Sequence, residues 1–332
     1  MALPETMRAI AISAPGGPEV LIEQRVPVPQ PAADDVLIEV AAAGVNRPDV
    51  LQRQGRYAPP PGASPLPGLE VAGRIVAAGS AVDPTVIGQR VCALTPGGGY
   101  ADYALTPYAQ CLRLPPDFPF EQAAAMPETL MTVWHNLFER AYVAEGDTVL
   151  IHGGTSGIGT MAVSLCRLFG ITTIVTCGSD DKCCAALDWG ASFAVNYRTD
   201  DFVEAVKRIT DGSGVTAVLD MVGGDYLPRN LNCLAEDGRH VSIAVLGGGK
   251  AEIPIGQIMV RRLTLTGSTL RPRSPAFKAA LVDEIRRTVW PSVATGELRP
   301  AMDRVFPLAE AAAAHARMEA GDHIGKIVLA VR

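Results

Sequence analysis

Thr148-Val-Leu-Ile-His152-Gly-Gly-Thr-Ser-Gly-Ile-Gly159-Thr-Met-Ala-Val-Ser-Leu-Cys-Arg-Leu-Phe-Gly170 is the stretch from which the rest of the chain can be read. The apolar run Val149 to Ile151 stops at Gly153, Gly154, Gly157 and Gly159, and apolar residues then recur at helical spacing through Ile158, Met161, Ala162, Leu165 and Leu168. The pattern is a strand, a tight turn and a helix. Such a unit offers the free N–H groups of a helix's first turn to an anion, and its glycines let the backbone approach a diphosphate. Gly154, Thr155, Ser156, Gly157, Ile158 and Gly159 are therefore the candidate dinucleotide-binding turn. The spacing departs from G-x-G-x-x-G at Ser156, where the middle glycine would stand. Alone, such a turn is also compatible with an ordinary glycine-rich loop.

The next segment favours the dinucleotide. Gly170 ends the helix, and Ile171 to Cys177 is a second strand of the kind a parallel sheet buries on both faces. An NAD-selective βαβ unit places a carboxylate near its end to hold the ribose 2′-hydroxyl. Here the residues are Cys177, Gly178 and Ser179, with Lys182 one turn on. A hydroxyl, open space and a cation suit a 2′-phosphate, so NADPH is favoured over NADH. Asp180 and Asp181 are read as starting the next helix, where carboxylates suit the positive end of the dipole.

The chain has 332 residues, enough for two domains, with 48% hydrophobic and 19% charged residues, a globular composition. Its net charge of −6 gives no reason to expect a nucleic-acid partner. The first residues lack the basic flank and apolar core of a signal peptide, and no apolar run is long enough to span a bilayer, so a cytoplasmic address is expected. Seven cysteines without repeated spacing suggest reduced thiols, and adjacent Cys183 and Cys184 read as helix-packing residues.

From Met7 to about Leu114 short strands alternate with Gly and Pro: 8–13, 20–26, 35–45, 71–77, 90–93, 100–105 and 111–114. They suggest a small, partly closed β domain. Residues 120–140 read as one or two helices interrupted at Pro127. Thereafter strands at 148–152, 171–177, 193–197, 216–221, 239–245 and 261–267 alternate with helices near 158–169, 180–189, 200–211 and 226–236. That is a doubly wound parallel sheet. A helix at 275–295, a strand at 304–306, a helix at 308–320 and a strand at 325–331 have no place in that completed sheet and return to the β domain. The expected division is 1–125 and 269–332 for the β domain and 126–268 for the inserted one.

Two stretches of the β domain carry a resemblance: Ala42-Ala-Gly-Val-Asn46-Arg-Pro-Asp49 with Arg53-Gln-Gly-Arg-Tyr57, and Leu66-Pro-Gly68-Leu69-Glu70-Val-Ala-Gly73. With an inserted Rossmann domain, they resemble the medium-chain dehydrogenase/reductase superfamily over nearly the whole chain. The resemblance implies an α/β protein with a GroES-like β-barrel catalytic domain and an inserted Rossmann sheet. Where zinc alcohol dehydrogenases have a ligand cysteine and a ligand histidine, this chain has Asn46 and Leu69, and no clustered cysteines form a structural zinc lobe between Cys92 and Cys111. Neither side chain is a plausible zinc ligand, so no metal is expected.

Asn46-Arg-Pro-Asp49, Gln52 to Tyr57, Pro59 to Ser64, Gly97-Gly-Gly99, Asn232-Cys-Leu234, Gly247-Gly-Gly249 and His323 to Leu329 further resemble the zinc-free, zeta-crystallin-like NADPH:quinone oxidoreductases, in particular the tumour-suppressor-inducible branch. That resemblance implies NADPH contacts at Gly178, with Ser179 and Lys182 facing the 2′-phosphate, Tyr197 along the adenosine ribose or phosphate, Thr132 beside the nicotinamide, and Lys326 reaching toward the phosphates unless it is a solvated surface charge. Gly223 and Gly224, with Gly247 to Gly249, fall at strand ends where open α/β sheets bind ligands, though each set could be a plain turn.

Hydride transfer to a quinone or enone needs close approach in a dry cleft more than a strong acid. Asn46 and Tyr57 are the candidates to line that cleft and donate to the developing oxyanion. Their plainer roles are bracing a turn and packing, and Asp49 is read as ordering its loop. Two alternatives stay open: an enoyl-thioester or alkenal double-bond reductase, and an NADPH-binding protein with little turnover. The strand near 261–267 would be a sheet edge, and relatives pair it across a two-fold axis, so a homodimer is expected.

Overall fold

The computed structural model describes residues 3–332. Two compact units emerge, one formed by the chain up to Met131 together with Arg271–Arg332, the other by Thr132–Leu270. The first crossing falls later than expected because the helix begun by Pro127 leads with residues that belong to the β unit, Leu130 and Met131 being fully buried.

The β unit begins with strands β1 (Thr6–Ile12), β2 (Leu21–Pro27) and β3 (Asp35–Val45), helix α1 (Arg47–Arg53), strands β4 (Glu70–Ala78), β5 (Arg90–Leu94), β6 (Tyr103–Pro107) and β7 (Cys111–Arg113), and helices α2 (Phe120–Ala123) and α3 (Pro127–Val133). The inserted unit runs β8 (Thr148–His152), α4 (Gly157–Leu168), β9 (Thr172–Cys177), α5 (Asp180–Trp189), β10 (Phe193–Asn196), α6 (Phe202–Ile209), β11 (Val215–Asp220), α7 (Tyr226–Cys233), β12 (Leu234–Ser242), α8 (Ile255–Arg261) and β13 (Thr264–Gly267). The β unit resumes with α9 (Pro275–Thr288), α10 (Trp290–Thr295), β14 (Met302–Pro307), α11 (Ala311–Ala320) and β15 (Lys326–Ala330).

In the inserted unit six parallel strands lie in the order β10-β9-β8-β11-β12-β13, which puts the reversal of strand order beside β8. Leu150, Ile174, Phe202, Val218 and Leu231 pack its core, and full burial of such side chains stabilises by about 1.5–3 kcal/mol each. In the β unit a seven-stranded sheet runs β14-β15-β3-β4-β5-β7 with β6 on β3, and β1 pairs with β2. The returning C-terminal strand β15 lies antiparallel to β3, Ile327 opposite Val45, which brings Lys326 to the end of β3.

Several expected boundaries move. The strand expected over 261–267 begins at Thr264, because Arg261 ends α8 and Arg262 takes a left-handed cap, φ 54°. The helix expected over 226–236 stops at Cys233, and β12 starts at Leu234 instead of 239. It does so through a register shift, Val215 opposite Leu234 but Ala217 opposite Arg239, with Asp237 at φ 58°. The long helix expected from 275 breaks before Pro291, whose missing N–H sits in the first turn of α10. Helix α1 was not expected. Among the described residues no helix is long and apolar enough to cross a membrane.

Candidate active site

The glycine turn joins β8 to α4 and is tied to β9: Gly153 and Gly154 both donate their N–H to the Thr176 carbonyl, at 3.1 and 3.0 Å. The Ser156 hydroxyl accepts the Gly159 N–H at 3.0 Å and caps α4, so the departure from the glycine pattern supplies a cap. A Cβ at Gly159 would stand 2.2 Å from the Gly153 carbonyl, and one at Gly154 would meet Val175 at 2.5 Å, so the turn closes only with glycine there. Gly157 and Ile158 occupy the first helical positions, where N–H groups have no intrahelical acceptor and suit a diphosphate.

Two further turns meet this one. Met221, just past β11, approaches Ser156, its sulfur 4.0 Å from the hydroxyl. Gly223 pairs with Gly248 in an isolated parallel bridge, and Gly247 donates to the Val222 carbonyl at 2.7 Å. Asp220 holds the turn from below, accepting the N–H of Val222 at 2.7 Å and of Gly223 at 3.2 Å. Under the sheet ends runs a fully buried polar chain. His152 meets Thr176 at 2.9 Å and Asn230 at 2.7 Å, Asn230 meets His240 at 3.3 Å, and His240 meets Asp220 at 3.1 Å. Burial alone would raise the Asp220 pKa, but His240, His152 and the Val222 N–H outweigh it and hold the carboxyl low. Burial, first among its causes, lowers that of His152. Asp220, Asn230 and His240 were not among the candidates, since nothing local marks them.

At the far end of β9 the Ser179 hydroxyl caps α5, accepting the Lys182 N–H at 3.3 Å. A Cβ at Gly178 would stand 2.9 Å from the Tyr197 hydroxyl, so Tyr197 reaches over that glycine while staying 42% exposed. Asp180 accepts from Asn196 at 2.7 Å, which engages the carboxylate nearest the strand end. Gly178, Ser179, Lys182 and Tyr197 are thus gathered in one place. The Thr132 carbonyl accepts from Asn136, which in turn accepts from Ser268.

In the β unit, Asn46 lies at the end of β3 and begins α1. Its backbone N–H is taken by Asp49 three residues on, with Pro48 in the first turn, a start signal that the reading as a loop passed over. The Asn46 amide is held at both ends, since Lys326 Nζ donates to Oδ1 at 2.6 Å and Nδ2 donates to Glu70 Oε1 at 2.8 Å. Lys326 also donates to Glu70 Oε1 at 2.6 Å and to the Val45 carbonyl at 3.1 Å. The lysine is 4% exposed and all three of its donors are engaged, so it is neither a surface charge nor a free hand for phosphate.

Glu70, fully buried, accepts further from the Glu128 N–H at 2.8 Å. Desolvation first, and Glu70 second, push the Glu128 carboxyl up to about 7. Asp49, fully buried, receives the N–H groups of Gly68 and Asn46 at 2.9 Å each, yet burial still pushes it up to about 6. Tyr57 belongs to a neighbouring group: the Arg271 guanidinium lies 5.5 Å from its ring centre and donates to Gln52 at 2.8 Å and to the Pro96 carbonyl. Burial raises the Tyr57 hydroxyl's pKa.

Two families match the chain. Residues 32–116 match the family described as alcohol dehydrogenase GroES-like domain, and residues 157–287 the one described as zinc-binding dehydrogenase. A quinone oxidoreductase of Lama guanicoe is 32% identical over 98% of both chains. The chain belongs to the medium-chain dehydrogenase/reductase family. A 2-haloacrylate reductase of a Burkholderia species is 32% identical over 97% of this chain and 98% of its own. Among solved structures, a mycobacterial protein complexed with NADPH superimposes with a TM-score of 0.87 at 28% identity over 98% of this chain and 100% of its own. A quinone oxidoreductase of Pseudomonas syringae gives 0.86 at 28%, with the same coverage.

As a medium-chain dehydrogenase/reductase the chain binds a nicotinamide dinucleotide, and the capped, glycine-closed turn after β8 fits the diphosphate. The zinc of the family's alcohol dehydrogenases does not fit. Asn46 has its amide committed to Lys326 and Glu70, Leu69 is an apolar side chain 2% exposed, and Glu70 is neutralised by the ammonium. Among the described residues no group of three His, Cys, Asp or Glu side chains is placed to hold a metal.

Proposed function

We propose that the protein reduces quinones or related activated enones with NADPH, by direct hydride transfer and without zinc. The state of the two zinc-ligand positions carries this reading: Leu69 offers no ligand atom and the Asn46 amide is held by Lys326 and Glu70, so the Lewis acid that alcohol oxidation needs has no donor set, while an electrophilic quinone does not require one. The bound nucleotide supplies the hydride. The chain's own part is to fix the nucleotide with its three glycine turns and to offer Asn46 and Tyr57 as hydrogen-bond donors to the acceptor oxygen, which afterwards takes a proton from water.

NADPH is favoured because the strand end presents Ser179, Lys182 and Tyr197 while Asp180 is turned to Asn196. Lys182→Ala is expected to weaken NADPH by about 10- to 100-fold and NADH by less than about twofold, measured by nucleotide fluorescence titration. Equal losses for both would overturn the cofactor assignment. The likeness to a 2-haloacrylate reductase favours a second reading, in which the acceptor is an electron-poor C=C bond conjugated to a carboxyl or thioester. NADPH consumption with quinones, enones and enoyl thioesters separates the two, and NADPH binding without turnover of any of them would refute both.

The outer strand β13 and the neighbouring α8 expose Met259 at 73% and Val260 at 76%, and we assign this edge to a second copy of the chain. Sedimentation at micromolar concentration should show a dimer. A monomer throughout would refute it.

A further inference from the structure

The Asn46 amide is gripped in a way that simple bracing does not require. Lys326, 280 residues away, places its ammonium 2.6 Å from Oδ1, and Glu70 takes one Nδ2 hydrogen at 2.8 Å. The lysine is 4% exposed, Glu70 fully buried and Asn46 7% exposed. The two charged groups fix the amide's orientation, because a flipped Asn46 would aim its NH2 at the ammonium and its oxygen at the carboxylate. They also polarise it: a cation on the oxygen and an anion on one hydrogen draw charge along the amide in the same sense, and in a dry setting such chained hydrogen bonds reinforce one another. The second Nδ2 hydrogen is left as the donor.

We infer that Lys326 and Glu70 are positioning residues that orient and polarise Asn46, so that its remaining N–H stabilises the negative charge arriving on the acceptor oxygen, electrostatic work that zinc performs in the family's alcohol dehydrogenases. The inference rests on the reading of Asn46 as an acceptor contact given above. Lys326 itself touches neither acceptor nor nucleotide and gives up no proton. Its charge acts through one amide, which is why it must be buried, paired and at hydrogen-bond distance.

Removing the lysine alone strands the Glu70 charge, so the test uses Lys326→Met/Glu70→Gln, which removes both charges together, with Glu70→Gln as a variant that keeps the ammonium on Asn46 without its counter-charge. Stopped-flow hydride transfer from NADPH to a quinone is measured alongside NADPH affinity and the thermal midpoint. The double variant is expected to lose about tenfold in kcat with KM for the quinone and Kd for NADPH within about twofold, and Glu70→Gln to lose less. Asn46→Ala should lose about 100-fold, and adding it to the double variant should cost no more than it does alone, because the three act as one unit.

If Asn46→Ala leaves kcat unchanged, the reading of Asn46 as the acceptor contact fails. If Asn46→Ala is slow but the double variant is as fast as the parent, or if the losses multiply, the role given to Lys326 and Glu70 fails while that of Asn46 stands. Should the double variant not fold, the same decision passes to Glu70→Gln and its cycle with Asn46→Ala: unchanged kcat or multiplying losses there overturn the inference.

Discussion

The glycine turns of the inserted unit and the charged cluster of the β unit solve opposite problems. The turns after β8, β11 and β12 keep side chains out: Gly159, Gly154 and Gly223 leave no room for a Cβ, and the site is backbone waiting for an anion. The cluster around Asn46 packs side chains in, with Lys326, Glu70, Asp49 and Asn46 all buried and donors matched to acceptors. A backbone site tolerates change at most side chains. A buried ionic site does not, because each group removed leaves a charge without its partner.

That contrast predicts the largest effect. Glu70→Ala leaves the Lys326 ammonium buried with only two neutral oxygens, and should cost about 3–5 kcal/mol in urea unfolding. Ser156→Ala removes one helix cap from the glycine turn and should cost about 1 kcal/mol. Equal losses would erase the distinction between the two regions.

The same contrast explains what could be read from the chain. The turn after β8 is written in adjacent residues, so β8, α4 and the parallel alternation of strand and helix were legible, as was the gathering of Ser179 and Lys182 around one helix start. The cluster is written in residues that meet only after folding: Lys326 lies 256 positions from Glu70, and His152 lies 78 from Asn230. No local pattern announces such pairs, which is why Lys326 was assigned to phosphate and the chain from His152 to Asp220 went unseen. Helix α8 escaped for another reason, since Ile255, Met259 and Val260 face outward, Ile258 alone of its large apolar residues packs on the core, and its sequence lacks the one-sided period that marks a packed helix.

A pH-dependent effect sharpens the comparison further, because the cluster carries a carboxyl that folding makes less acidic. Asp49 titrates near 6 in the folded protein against 3.8 ordinarily, burial being the first cause, despite the Gly68 and Asn46 N–H groups and the nearby Arg271 and Lys326. Between those pH values the folded protein holds a proton that the unfolded chain has released. Stability supplied by Asp49 is therefore present below about 4, falls as pH rises, and is gone above about 6. Asp49→Asn has no proton to lose there, but it gives one N–H acceptor away, since Asp49 uses one oxygen for Gly68 and the other for Asn46. The variant should be less stable than the parent at pH 4, and the gap should narrow by about 1–3 kcal/mol by pH 7.5. Asp49 is among the groups that raise Glu128, so the variant also relieves Glu128 and narrows the gap in the same sense. Urea midpoints at pH 4, 6 and 7.5 decide the point. A gap that stays constant or widens with pH would mean that Asp49 is as acidic in the fold as in solution, and that the cluster shields its charges as well as water does.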